Sequence, residues 1–224
     1  MAAAFALDQV VRRADPDRWL ASRLIVNQAR RQAVIALYAY EYELCRAVQV
    51  TSNALLAEIR LTWWREALDE IFAGVVVRKH PAAQALADCV AGHGLERASL
   101  EAMIDARIDA LDRTLVDQPE SLAWARGVGG SVAVLAAQML DPAASPMIAA
   151  TAGTVWELFR QNNPEARGLR VTVDQQLKTA AAAGEAFSPE AFPAIAHVAL
   201  VRPGPQSPIG KRLRLVWAMA RGRL

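Results

Sequence analysis

Two adjacent stretches decide the fold: RRQAVIALYAYEYELCRAV at residues 30–48, and LLAEIRLTWWREALDEIFA at residues 55–73. In the first, strong helix formers surround Ala33, Leu37, Tyr40 and Leu44, spaced by three and four residues, the period of an amphipathic helix. The second predicts another helix with Leu56, Ile59, Trp63, Ala67 and Ile71 on its buried face. Its opposite face carries Arg65 and Asp69 at the i,i+4 spacing of a weak surface ion pair, and Gly74 is a natural stop.

Helical periodicity extends in both directions from these stretches, and strand alternation is almost absent. Asp15-Pro16 reads as an N-cap followed by proline at the first helical position. Further helices are predicted over His80–Ala91, Leu100–Leu115, Glu120–Leu140, Pro146–Asn162, Val173–Ala183, Pro189–Leu200 and Pro208–Ala220. Glycine and proline breakers separate them, among them Gly92, Gly94, Pro119, Pro142, Pro164, Gly184 and Pro203-Gly204-Pro205. With no internal repeat, the pattern predicts a single all-α domain over 1–224, its neighbouring helices mostly antiparallel.

Composition agrees. The 224 residues are 54% hydrophobic, yet about a fifth are alanine, so the core is made largely of small side chains on helices. Charged residues at 21% exclude a low-complexity or disordered chain. Cys45 and Cys89 stand far apart without metal-binding spacing, which argues against a zinc finger or disulfide scaffold and for two reduced thiols. Asp8 interrupts the apolar start with no basic segment before it, unlike a signal peptide. The longest apolar runs, around Val132–Ala137 and Ala194–Val201, are too short to span a bilayer. The expected location is therefore cytoplasmic, with peripheral attachment at an inner membrane as an option.

Four features carry potential chemistry. Glu101, Asp105, Asp109 and Asp112 share one flank of a helix, and Asp105 and Asp109 are spaced so that two carboxylates could share Mg²⁺. The commoner meaning of such a stripe is a solvated flank, here balanced by Arg107 and Arg113. Gly127-Val128-Gly129-Gly130 lacks the strand and the Lys-Ser/Thr of a phosphate loop, and fits a close approach of two helices instead. His80, His93 and His197 have no triad or metal partner at a recognisable spacing and are expected to be structural. Finally, no acidic residue follows Glu190, while Arg202, Lys211, Arg212, Arg214, Arg221 and Arg223 do. The net charge of +2 thus hides an acidic body and a basic tail. The helix expected at about 208–221 places Ile209, Leu213, Val216, Trp217 and Ala220 on one side. It can dock that side on the core, the commoner arrangement, or lie on an anionic membrane surface through Lys211–Arg223. No nucleic-acid-reading pattern accompanies the charge.

Ala36-Leu37-Tyr38-Ala39-Tyr40 and Glu58–Leu68, followed by His80-Pro81 and Ala102–Arg107, resemble the squalene/phytoene synthase family. The likeness continues weakly from Ala152-Gly153-Thr154 to Arg167-Gly168 and over Arg212–Leu224. The resemblance implies an all-α isoprenoid-synthase bundle around a deep cavity. In such proteins two aspartate-rich boxes hold Mg²⁺ and prenyl diphosphates, which are joined head to head. Here the first box falls on Cys45-Arg46-Ala47-Val48-Gln49, with Glu41 and Glu43 out of register. The second falls on Gln161-Asn162-Asn163-Pro164-Glu165, where only Glu165 is acidic. Diphosphate departure needs its growing charge stabilised by Mg²⁺, a hard cation for which thiols and amides are poor ligands.

The pattern is similar to a divergent branch of the family that includes the phytoene-synthase-like assembly factor of mitochondrial respiratory complex I and keeps the fold without the boxes. The stretch between Ala199 and Pro208 is contracted, so some truncation at the C-terminal end is expected. The resemblance therefore implies a non-catalytic protein, without a cofactor, that binds a partner protein or an isoprenoid-like lipid. Arg30, Arg60, Arg65, Arg160 and Arg167 are the candidates for an anionic head group, and Tyr38, Tyr40, Trp63 and Trp64 for the cavity wall. The competing expectation is a Mg²⁺-dependent prenyltransferase using relocated carboxylates such as Asp105, Asp109 and Glu165.

Overall fold

A computed structural model describes residues 2–111, 118–202 and 207–224, and within them every regular element is a helix. The chain opens with α1 (Ala2–Ala14) and α2 (Pro16–Ser22), then the long pair α3 (Gln28–Gln49) and α4 (Ala54–Ala73). Next come α5 (Pro81–His93), α6 (Arg97–Asp109) and α7 (Gln118–Ala125). A π-helical turn, Arg126–Gly130, joins α7 to α8 (Ser131–Leu140). Then α9 (Pro146–Arg160) and α10 (Glu165–Ala182) follow. Two 3₁₀ turns, Phe192–Ala194 and Ala196–Leu200, lead to α11 (Pro208–Arg221).

Local chemistry sets the boundaries. The Asp15 carboxylate accepts the Arg18 backbone N–H at 2.9 Å, and Pro16 occupies the first turn of α2. Asn27 and Asn53 cap α3 and α4 in the same way. Gly74 closes α4 in the left-handed region, φ 67°.

The centre of the molecule is α3. All residues from Ala33 to Glu41 are buried, so this helix has no solvent face along its middle turns. It touches α1, α2, α4, α5, α6 and α8. Tyr40 donates to the Leu100 carbonyl of α6 at 3.1 Å, and Arg30 donates to the Leu140 carbonyl at the end of α8 at 2.6 Å. Between α9 and the π turn, Gly153 and Gly129 lie backbone against backbone. A Cβ on either would overlap the other's carbonyl oxygen, which bears out the reading of the glycine cluster as a close helix approach.

Several expectations are corrected. The buried face of α4 is Ala57, Leu61, Trp64, Ala67, Leu68 and Ile71, while Leu56 and Ile59 are exposed. Two apolar stripes of similar strength run along this helix, and the one with the small Ala57 packs inward. Arg65 and Asp69 do not pair with each other, because each finds a counter-ion on α6: Asp105 and Arg97 respectively. Residues 120–140 are interrupted by the π turn, and α10 begins at Glu165, directly after Pro164. The expected helix Pro189–Leu200 is two 3₁₀ turns, since Pro193 supplies no N–H for an α-helical bond. Asp112, Arg113 and Pro203-Gly204-Pro205 lie outside the described residues.

The terminal helix is corrected as well. It docks through Leu215 and Ala218 onto the turn Ala196–Leu200, whereas Ile209, Leu213, Val216 and Trp217 face solvent.

Candidate functional site

Six charged side chains, five from the four helices α2, α3, α6 and α9 and one from the cap residue Asp15, meet inside the bundle. Glu41 of α3 accepts from Arg107 of α6 at 2.9 Å and lies 3.8 Å from Arg18 of α2 and 3.7 Å from Arg160 of α9. Arg160 also lies 3.4 Å from Glu157 and 3.9 Å from Asp15, while Arg18 is 3.8 Å from Asp15. Arg18, Glu41, Arg107, Glu157 and Asp15 are buried, and Arg160 is partly so. Three guanidiniums thus face three carboxylates in a place where isolated charges would be prohibitively costly. Burial alone pushes the Asp15 carboxyl up, but Arg18 and Arg160 outweigh it and hold it below the usual range. Burial likewise opposes the Arg160 charge, and Glu157, Glu41 and Asp15 overcome it to raise its pKa.

Aromatic groups wall the cluster. The Arg18 guanidinium sits over the Tyr38 ring at 5.5 Å, and burial pushes the Tyr38 hydroxyl up to about 12. Trp156 donates its indole N–H to Asp15 at 3.0 Å and meets the His197 ring edge-on at 4.8 Å. His197 is wholly enclosed, and neither ring nitrogen has a hydrogen-bond partner. The same is true of Arg18 Nε and Nη2.

Cys45, one turn beyond Glu41, is half-buried beside this cluster. Burial first, then Glu41, raises its thiol pKa, so it is a neutral group. Gln49 is exposed at the end of α3, Gln161 is exposed just after α9, and Glu165 is half-buried at the start of α10. These four do not fit Mg²⁺: a protonated thiol and two amides supply no charge, and a single carboxylate is too little for a hard dication. Among the described residues no three His, Cys, Asp or Glu side chains gather as a metal set. The existing central carboxylates are already neutralised by arginine.

The remaining candidates scatter. Arg60 and Trp64 do come together, with Trp63, Ile59, Val50 and Arg46, in a groove of about 380 Å³ between α3 and α4. Trp64 is stacked edge-on among Tyr40, Trp63 and His80. Arg30 is committed to the Leu140 carbonyl, and Arg167 is exposed on α10. Asp105 is exposed and paired with Arg65, Glu101 pairs with Arg97, and Asp109 is exposed. Arg107, expected on the solvated flank of α6, instead points inward to Glu41. The thiols of Cys45 and Cys89 are free. Sequence reading missed Arg18, Asp15, Glu41, Arg107 and Glu157 as one unit. The available signal was a glutamate set in each of two apolar runs, Glu41 after Ala33–Tyr40 and Glu157 within Gly153–Leu158.

A family model for squalene/phytoene synthase matches residues 11–188. The chain belongs to the squalene/phytoene synthase family. No curated protein matches it in sequence. Among solved structures it is similar to a dehydrosqualene synthase determined in complex with a ligand, with a TM-score of 0.77 at 12% identity. That match covers 98% of this chain and 96% of the other, which establishes the all-α isoprenoid-synthase fold. The chain combines this fold with a charge-balanced interior, beside which Cys45, Gln49, Gln161 and Glu165 form no metal-binding set.

Proposed function

We propose that this family member is non-catalytic and binds an isoprenoid-like lipid, acting as an accessory or assembly factor toward a partner protein. One observation carries the reading. The side chain at the first box position is the protonated Cys45 thiol, and the carboxylates beside it, Glu41 and Glu157, are engaged by Arg107 and Arg160. A diphosphate leaving group requires preorganised positive charge that is not already compensated. The groove between α3 and α4 is the natural seat for an apolar chain: Ile59, Val50 and Trp63 line it, with Arg60 available to a polar head and Arg46 paired with Glu43 at 3.3 Å. The alternative, a Mg²⁺-dependent prenyltransferase with relocated carboxylates, would have to free Asp105 from Arg65 and bring it to Asp109 and Glu165.

The test has two arms. Incubation with farnesyl or geranylgeranyl diphosphate, Mg²⁺ and NADPH is expected to release no pyrophosphate. An isoprenoid quinone is expected to quench tryptophan emission, and Ile59→Asp to weaken that binding at least ten-fold. Pyrophosphate release that disappears in Asp105→Ala would establish the enzyme reading instead.

A further inference from the structure

The side of α11 turned to solvent is apolar. Ile209, Leu213, Val216 and Trp217 are 56–70% exposed. At 3.6 residues per turn they form a stripe about 100° wide. Arg212 borders it on one side, and Arg214 and Arg221 on the other. The helix is well defined at both ends. The Ser207 hydroxyl accepts the Gly210 N–H at 3.0 Å, Pro208 follows the cap, and Gly222 closes the helix at φ 59°. The Arg221 guanidinium lies 4.0 Å over the Trp217 ring. Next to the stripe is a cleft of about 250 Å³ lined by Lys178, Arg202, Arg214, Arg221 and Arg223. Its carboxylate, Asp174, already accepts the Leu224 N–H at 2.9 Å and pairs with Arg170 at 3.6 Å. Arg214 Nη1 is buried in this region without a hydrogen-bond partner.

We propose that this surface docks the protein on an anionic phospholipid bilayer, with the apolar stripe entering the headgroup–acyl boundary and the flanking cations, including those of the cleft, meeting lipid phosphates. The helix, about 21 Å long at 1.5 Å per residue, lies flat on the surface. Among the described residues no helix is long and apolar enough to cross a membrane, so the contact is interfacial. Charge selects the occupant. A second copy seated on the same stripe by two-fold symmetry would set arginine borders against arginine borders, whereas an acidic lipid surface complements them. Tryptophan suits the boundary because one end of its ring system is apolar and the other donates a hydrogen bond. This surface shares no residue with the α3/α4 groove, so either proposal can fail without the other.

The experiment is vesicle flotation of the full chain, with phosphatidylcholine alone and with phosphatidylcholine plus phosphatidylglycerol. Binding is expected to the mixed vesicles only and to weaken as salt rises. Arg212→Gln and Arg221→Gln are each expected to lower the partition constant roughly five-fold, and Leu213→Asp at least ten-fold. Because Leu213 is exposed, thermal unfolding should be unchanged, and Ile59→Asp should float like wild type. Equal binding to both vesicle types, or to neither, would overturn the proposal. So would concentration-dependent dimerisation that Leu213→Asp abolishes, which would assign the stripe to a second copy.

Discussion

His197 makes the enclosed charge cluster measurable. Burial first, and the neighbouring Arg18 second, hold its imidazole down to about 3, against about 6.5 in an exposed chain. Between those values the unfolded chain binds a proton that the folded protein refuses. Stability from this residue is therefore complete above pH 6.5 and is lost as the pH falls toward 3. The slope is about 1.4 kcal/mol per pH unit, so the loss is about 2 kcal/mol at pH 5 and approaches about 5 kcal/mol near pH 3. His197→Leu keeps a similar volume and removes two unpartnered nitrogens, so at pH 8 its stability should lie within about 1 kcal/mol of wild type. Urea unfolding followed by circular dichroism at pH 8, 6.5 and 5 reads the difference. The variant should gain about 2 kcal/mol on wild type between pH 8 and pH 5. His93, exposed and also lowered by its surroundings, acts equally in both proteins and cancels. Asp15, whose carboxyl is held below 3.8, titrates beneath the window. Parallel pH profiles would refute the reasoning, because they would mean that His197 takes up its proton in the folded state.

Other perturbations separate cluster, packing and surface. Glu41→Gln leaves three guanidiniums facing two carboxylates. Calorimetry should find a loss of about 3 kcal/mol or more and a Tm lower by on the order of 10 °C. Gly129→Ala forces a Cβ against the Gly153 carbonyl and should cost at least about 3 kcal/mol. Gly168→Ala, on α10 with open space around it, should stabilise by about 1 kcal/mol in the same denaturation assay. Asp105→Ala removes an exposed ion pair with Arg65, so its cost should be under about 1 kcal/mol, and quinone quenching should be unchanged.

The helical architecture was legible because caps and periodicity are local. Asp15-Pro16 and Gly74 act as their chemistry demands, and Gly129 meets Gly153, and Gly127 meets Ala106, as small residues meeting across helices should. Errors arose where tertiary packing chose between local options. The pattern of α4 admits two apolar faces, and only the neighbours α3 and α6 decide which is buried. Arg107 reads as a surface charge beside Asp105 and Asp109, yet it is drawn inward by a glutamate 66 positions earlier. The buried cluster was hidden for the same reason: Asp15/Arg18 and Glu157/Arg160 are local pairs at i,i+3, but what joins them to Glu41 and Arg107 is packing between four separate helices. The tail was misread in the opposite direction. Its apolar side looked like a core face, but Leu215 and Ala218, on another side of the helix, make the docking contact.

These differences share a logic of charge placement. The resemblance to prenyl-diphosphate synthases implies interior carboxylates left free for the metal ions that accompany a diphosphate. Here the interior balances itself, with Arg18, Arg107 and Arg160 against Asp15, Glu41 and Glu157. An incoming diphosphate would add two or three negative charges to a neutral, buried set, and of Cys45, Gln49, Gln161 and Glu165 only the single carboxylate of Glu165 could help a metal ion offset them. Uncompensated positive charge occurs instead at the outside, where five cations of the C-terminal cleft face Asp174. Solvent makes that arrangement inexpensive to maintain, and an acidic surface makes it attractive. The proposed lipid contact thus places anion recognition at the exterior, while the interior charges pair across α2, α3, α6 and α9.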